Sequence, residues 1–253
     1  MTRLLSGVAL AAAALAAILF LPLIGLRAFA CVVAVIAAHE YLRIVGAATA
    51  SLPILALVGL ACWFVPTPGS GGLLLPLLML GVLVIEVLWR GTAIHEAAAR
   101  FFAPWYIGVP LGMLVAIHGA GGPRYTLMLL ATVVVSDSAQ YYTGRMFGRR
   151  PLAPAISPNK TIEGAIGGVV FGTLFMVIAG AYVLGGPPVP RILLGLSIVV
   201  LGICGDLFES RLKRASGVKD SSALIPGHGG VLDRIDALLL ATPAFYLYVY
   251  GGP

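Results

Sequence analysis

The stretch 192–250, ILLGLSIVVLGICGDLFESRLKRASGVKDSSALIPGHGGVLDRIDALLLATPAFYLYVY, is apolar at both ends and polar in the middle. Residues 192–205 and 237–253 carry no charge, while 206–236 holds five acids and five bases. Extended slightly into the polar segment, each flank approaches the roughly 20 residues that a membrane-spanning helix needs. The pattern predicts two spanning helices, near 190–208 and 233–250, joined by a polar hairpin.

The same punctuation recurs outward. Other charge-free stretches cover 4–26, 44–85, 101–123 and 164–190. The stretch 44–85 must hold two spans, split at Pro66-Thr67-Pro68-Gly69, and further spans begin after Arg27 and Arg124. The expectation is an all-α, polytopic integral membrane protein of about nine transmembrane helices. The other seven lie near 4–24, 27–43, 51–66, 70–89, 104–121, 124–143 and 162–185. The third is short. The N-terminal apolar run is too long for a signal-peptide core and reads as the first span. Segment 91–102, with His95, Glu96 and Arg100, is partly amphipathic and is expected at the membrane interface. No linker marks a second domain. Residues 1–253 read as one transmembrane domain, with 1–123 as N-terminal helices suited to oligomerisation and 124–253 as catalytic helices and loops.

Composition agrees. Of 253 residues, 60% are hydrophobic and 10% charged, against about 25% charged in soluble domains. That is too little to cover a water-facing surface, which excludes soluble enzymes, nucleic-acid-binding modules and disordered chains. The net charge of +6 is a topology signal and implies no nucleic-acid partner. With nine spans, 13 basic residues fall on the face that receives the N-terminus, and only Arg27, Arg124 and Arg191 fall on the other. The basic face is therefore expected to be cytoplasmic, in the inner (plasma) membrane. Cys31, Cys62 and Cys204 lie in apolar runs without metal-ligand spacing and read as packing residues.

The acids gather toward the same face. Glu40, Glu86, Asp137 and Asp206 close even-numbered spans. Asp137 lies roughly 20 Å of helix rise beyond Arg124, and Asp206 roughly 22 Å beyond Arg191. Across a hydrocarbon core of about 30 Å, both would sit below the inner surface, where carboxylates need partners, cations or water. A polar cavity opening to the cytoplasm follows. His39, Glu40 and Arg43 either line it or pair with one another. Glu86 and Glu96 read equally well as interfacial ion pairs, and His118 as structural.

Two stretches carry the chemistry. In 206–236, Asp233 and Asp236 are spaced i, i+3 on one helix face, and Asp206 ends the preceding span. Such hard oxygen donors suit Mg²⁺, which binds through a few carboxylates together with substrate phosphates. Lys213, Arg214 and Lys219 suit anionic groups. The run Pro226-Gly227-His228-Gly229-Gly230 lets backbone N–H groups approach phosphate oxygens. The second stretch, 136–164, brings Asp137, Arg145 and Ser157-Pro158-Asn159-Lys160-Thr161. Arg149 and Arg150 are read equally as topology signals. The chain has only three lysines, Lys160, Lys213 and Lys219, and all lie in these two stretches. Where Arg is the default cation, a compact point charge marks a specific need.

The segment 210–236 resembles the signature of phosphatidate cytidylyltransferases. Ser210, Lys213, Arg214, Lys219, Asp220, Pro226, His228, Gly229, Gly230, Asp233, Arg234 and Asp236 all match its fixed positions. Residues 137–164 resemble the family's upstream block through Asp137, Gly144, Arg145, Phe147, Gly148, Ser157 to Thr161, Glu163 and Gly164, with Gln140 as a minor departure. The first half matches only in hydropathy.

The resemblance implies transfer of a cytidylyl group from CTP to phosphatidate, giving CDP-diacylglycerol and pyrophosphate in phospholipid synthesis. It implies a Mg²⁺-dependent membrane enzyme, with a second cation left open, that works as a homodimer in the lipid bilayer. Asp206 and Asp233 correspond to the family's metal ligands, and Asp236 would be a third ligand or stand just behind them. Lys213, Arg214 and Lys219 would hold CTP phosphates, grouped with Asp220, His228 and Arg234 as catalytic. Asp137, Arg145, Ser157, Asn159, Lys160, Ser210, Gly229 and Gly230 would bind substrate, with Arg145 and Lys160 at the lipid phosphate. His228 either orients a phosphate or shapes its loop. Two related enzymes, a CDP-archaeol synthase and a CTP-dependent polyprenol kinase, are disfavoured by the 210–236 match. A transporter is disfavoured because the acids cluster at one end and no repeat is found.

Overall fold

On one long helix of this chain the small residues face inward and the large apolar ones face outward, the reverse of a soluble protein. The computed structural model describes residues 2–47, 52–64, 79–82, 84–85, 93–225, 227 and 229–251. In α6 (Ile162–Val183), Gly164, Gly167, Gly168, Gly172, Met176 and Gly180 are the buried residues. On its other side Ile166, Val170, Ile178 and Tyr182 are more than half exposed. Water would penalise that apolar surface; a bilayer would not. Among the described residues, four helices are long and apolar enough to cross a membrane: Leu23–Ile44, Ile94–Gly121, Ile162–Val183 and Pro188–Ala215.

The helices in order are α1 (Thr2–Phe20), α2 (Leu23–Ile44), α3 (Leu52–Trp63), α4 (Ile94–Gly121), α5 (Pro123–Phe147), α6, α7 (Pro188–Ala215) and α8 (Leu232–Tyr250). They cover eight of the nine stretches expected to span. The ninth, 70–89, lies mostly outside the described residues, as do Glu86 and Arg90. Of segment 91–102, the described part starts at Ala93 and does not stand alone. From Ile94 it is the first part of α4 and continues through a π turn at Pro104–Gly108. Its Glu96 accepts from Arg100 at 2.5 Å, a pair one helical turn apart.

Among the described residues, one two-stranded sheet interrupts the all-α structure. The arm after α5 forms an antiparallel hairpin of β1 (Pro151–Ala153) and β2 (Ser157–Thr161), pairing Pro151 with Thr161 and Ala153 with Ser157. Proline at 151, 154 and 158 excludes helix here. A two-stranded ribbon is the alternative that still pairs backbone groups.

The chain divides into two compact units: Met1–Ala116 with Ala215–Ile235, and Ile117–Arg214 with Asp236–Pro253. The polar segment 215–235 therefore groups with the N-terminal helices. In this first unit α2 packs on α3 and on the π turn. Ala34, Ala37, Ala38, Val58, Ala61 and Ile107 are fully buried there. Gly108 allows the approach, because a Cβ on it would lie 2.6 Å from the Val58 carbonyl oxygen. Tyr41 donates to the Ala99 carbonyl at 3.1 Å, and Arg27 stacks over Trp63. Cys31 and Cys62, read as separate packing residues, are neighbours across α2 and α3, and both are free thiols.

In the second unit α5 and α6 pack along their length. Gly164 sits where a Cβ would come within 2.8 Å of the Gln140 carbonyl oxygen, and Gly172 where it would meet Val199 at 2.6 Å. His118 shares a hydrogen bond of 3.2 Å with Thr126 and is buried, the structural role expected of it. Gly205 brings α7 onto α8: a Cβ there would lie 2.5 Å from the Asp236 carbonyl oxygen and 3.2 Å from the Ala237 Cα. These are backbone atoms and cannot rotate away.

Gly205→Ala should therefore destabilise the protein by about 1–3 kcal/mol, the usual cost of overpacking. Gly202→Ala, one turn earlier with its nearest neighbour at 3.8 Å, should change little. Thermal unfolding in detergent measures both, and equal midpoints would contradict the close approach assigned to Gly205.

Candidate active site

The second unit carries a cleft of about 560 Å³ lined by Asp137, Arg145, Ser157, Asn159, Lys160 and Asp206 among others. That volume is ordinary for a small-molecule site. All six residues were singled out in the sequence, although they come from α5, β2 and α7.

Each is placed by local chemistry. Asp137 and Arg145 lie on α5, two turns apart. Asp137 accepts from Gln140 at 3.0 Å, and Arg145 donates to the Tyr141 hydroxyl at 3.2 Å. The hairpin is fastened at its base. Glu163 accepts the backbone N–H groups of Arg149 and Arg150 at 3.0 and 3.2 Å. Thr161 caps α6 by accepting from the Gly164 N–H at 3.1 Å. An N-cap of this kind is worth about 1 kcal/mol, and here it also fixes where β2 ends. Lys160, the residue before the cap, reaches Asp206 on α7 and forms an ion pair with it. Ser210, one turn on, donates to the other Asp206 oxygen at 3.3 Å.

Gly205 brings Asp206 beside α8, so Asp236 joins the group. Asp206 acts electrostatically on both Asp137 and Asp236, and Lys160 is the cation common to all three. With Lys213 also acting on Asp236, the group sets three carboxylates against two lysines. Its donors are oxygen alone, a set that fits a hard cation such as Mg²⁺. Lys213 pairs with Glu209, which is fully buried, and Arg214 donates to the Ile156 carbonyl at 3.4 Å.

A second cluster belongs to the first unit. One oxygen of Asp233 accepts from the Ser221 N–H at 2.9 Å, the Ser221 hydroxyl at 2.8 Å and the Gly230 N–H at 2.8 Å. The loop turns back on itself through Gly227 and Gly229, both at positive φ, and through a 2.9 Å bond from the Ile225 N–H to the Gly229 carbonyl. Gly229 lies against the Asp233 carboxylate and the Asp220 Cβ. Lys219, Asp220 and Arg234 are exposed. Pro226 and His228 lie outside the described residues. No group of three histidine, cysteine or acidic side chains stands at metal-binding separation among the described residues.

The residue that sequence reasoning underweighted is Glu40 on α2. It is 3% exposed and accepts four hydrogen bonds. Its Oε1 takes the Ser222 hydroxyl at 2.6 Å and the Val231 N–H at 3.1 Å. Its Oε2 takes the Ser221 hydroxyl at 3.1 Å and the Leu232 N–H at 2.8 Å. The available signal was a lone acid inside an apolar span, but nothing in the order of residues says that its donors lie 181 to 192 positions away.

These features converge with the comparisons. The profile of the cytidylyltransferase family matches residues 1–251, and the chain belongs to that family of nucleotidyltransferases. Among its relatives, the phosphatidate cytidylyltransferase of Haemophilus influenzae is 45% identical over 142 residues, covering 53% of this chain and 49% of the relative. That of Aquifex aeolicus is 34% identical over 174 residues, covering 69% and 65%. That of Mycobacterium bovis is 30% identical over 268 residues, covering 95% and 85%. In the first two, the match spans about half and about two thirds of the relative's own length.

Gly230 offers a direct check of the second cluster. A methyl group there would press on the Ser221 hydroxyl and on both Glu40 oxygens. Gly230→Ala should expose the loop and speed tryptic cleavage at Lys219 in the detergent-solubilised protein. An unchanged cleavage rate would remove the close packing assigned to Gly230.

Proposed function

We propose that this chain is a phosphatidate cytidylyltransferase, converting CTP and phosphatidate to CDP-diacylglycerol and pyrophosphate. The observation that carries this reading is the cleft whose lining combines Lys160 and Arg145 with Asp137 and Asp206. Cations to hold phosphate and carboxylates to hold a hard cation face one space. The family membership and the relatives' names support the same chemistry.

The reaction joins two polyanions. A phosphate oxygen of phosphatidate, already ionised at neutral pH, attacks the α-phosphorus of CTP. The new P–O bond forms as the bond to the β,γ-diphosphate breaks, and pyrophosphate leaves with that electron pair. No strong general base is required. The protein's task is to bring like charges together and hold them in line. Lys160 and Arg145 receive the lipid phosphate, beside Ser157 and Asn159. Lys213, Arg214 and Lys219 hold the nucleotide phosphates and the departing pyrophosphate, with Asp220, Arg234 and the backbone of Gly229 and Gly230 shaping that pocket. Asp206, Asp233 and Asp236 are the carboxylates toward Mg²⁺, which when bound neutralises phosphate charge. The enzyme works as a homodimer of about nine-span subunits in the inner membrane, with its site toward the cytoplasm and the acyl chains left in the bilayer.

Two results test this. Purified protein in lipid vesicles, given labelled CTP, phosphatidate and Mg²⁺, should form CDP-diacylglycerol and release pyrophosphate. Release of CDP with a phosphorylated lipid would replace this reading with a kinase. Asp206→Asn and Asp233→Asn should each lower kcat by about 100-fold or more while the protein remains folded by circular dichroism. Retained turnover in either would remove that residue from the cation site.

A further inference from the structure

Glu40 stands outside both signature stretches, in the half of the chain where only hydropathy matched the family. Yet it closes the signature loop. Its two oxygens bind Ser221 and Ser222 at the start of the loop and Val231 and Leu232 at its end. Leu232 begins α8, so two of the four donors are N–H groups that no helical turn satisfies. A carboxylate is the acceptor favoured at that end of a helix dipole. Asp233, the next residue, is held in turn by Ser221 and Gly230. The Ser221 hydroxyl has one proton and lies within reach of both carboxylates, at 3.1 Å from Glu40 and 2.8 Å from Asp233.

We infer that Glu40 is a positioning residue of the cytidylyl-transfer site. It clips residues 221–222 to 231–232 and so sets the direction of the Asp233 carboxylate. This rests on the reading of Asp233 as a residue of that site. The geometry explains the need for a carboxylate. Each Glu40 oxygen accepts one hydroxyl and one backbone N–H, so an amide nitrogen replacing either oxygen would face two donors. It also explains Gly230, because a side chain there would occupy the volume of the Glu40 carboxylate. Helix α2 thus supplies part of the framework that holds Asp233.

The test uses the full chain in lipid nanodiscs. Glu40→Gln should lower kcat about 10- to 100-fold and raise the Mg²⁺ concentration needed for half-maximal rate. A loss of folded protein alone would leave that concentration unchanged. Hydrogen exchange without substrate or Mg²⁺ should show lost protection at residues 221–222 and 230–232 and nowhere else. Ser222→Ala removes one donor to Glu40 and leaves the three donors to Asp233 in place. It should shift exchange and Mg²⁺ dependence in the same direction by a smaller factor, and it keeps the test open if Glu40→Gln does not fold. Glu40→Asp keeps both acceptors on a shorter arm and should recover part of the lost protection. Tyr41→Phe, which removes the bond to Ala99, should match wild type in both readouts. Unchanged exchange in Glu40→Gln and Ser222→Ala would overturn the clip. Lost protection with unchanged Mg²⁺ dependence would overturn its positioning role. Wild-type protein without cytidylyl transfer would instead overturn the activity, leaving the exchange result to judge the clip.

Discussion

The cost of holding a carboxylate away from water organises both halves of this protein. A buried carboxylate without partners costs several kcal/mol, so each one recruits donors, and the donors dictate local structure. Glu40 gathers two hydroxyls and two backbone N–H groups, which ties residues 221–222 to 231–232. The buried Glu209 draws Lys213, and the partly exposed Asp206 pairs with Lys160 of the hairpin. In a chain with ten acids, most of these placements have chemical or architectural consequences.

Glycine supplies the means. Bilayer-facing helices gain little from hiding apolar side chains from lipid, so they associate where their backbones approach closely. Gly164, Gly167, Gly168 and Gly172 let α6 lie along α5, and Gly205 lets α7 touch the backbone of α8. The last contact adjoins Asp206 and Asp236. The packing that brings these helices together therefore also sets two carboxylates beside each other. A hard cation held by these carboxylates would offset the repulsion that this placement creates.

Much of the site was legible because its residues are rare types in an apolar background. Lysine occurs only in the two chemistry-bearing stretches, and Lys160 indeed lines the cleft beside Asp206. Other features were not legible. The hairpin at 151–161 looked like loop because its prolines break helical periodicity without announcing a strand pair. Helix α4 began earlier than its charge-free stretch, since Glu96 and Arg100 neutralise one another within it. The grouping of 215–235 with the N-terminal helices was hidden as well, because the order of residues favours pairing with chain neighbours.

The sequence by itself determined that the chain is a helical membrane protein, that its polar chemistry is concentrated at 136–164 and 206–236, and which cytidylyltransferase residues are present. Hydropathy and residue type are local properties and can be read locally. Only the tertiary structure decided which of those residues share a cleft, and only it gave Glu40 its four donors. A hydrogen bond has a range of about 3 Å, so its partners are fixed by where the helices cross and not by their separation along the chain.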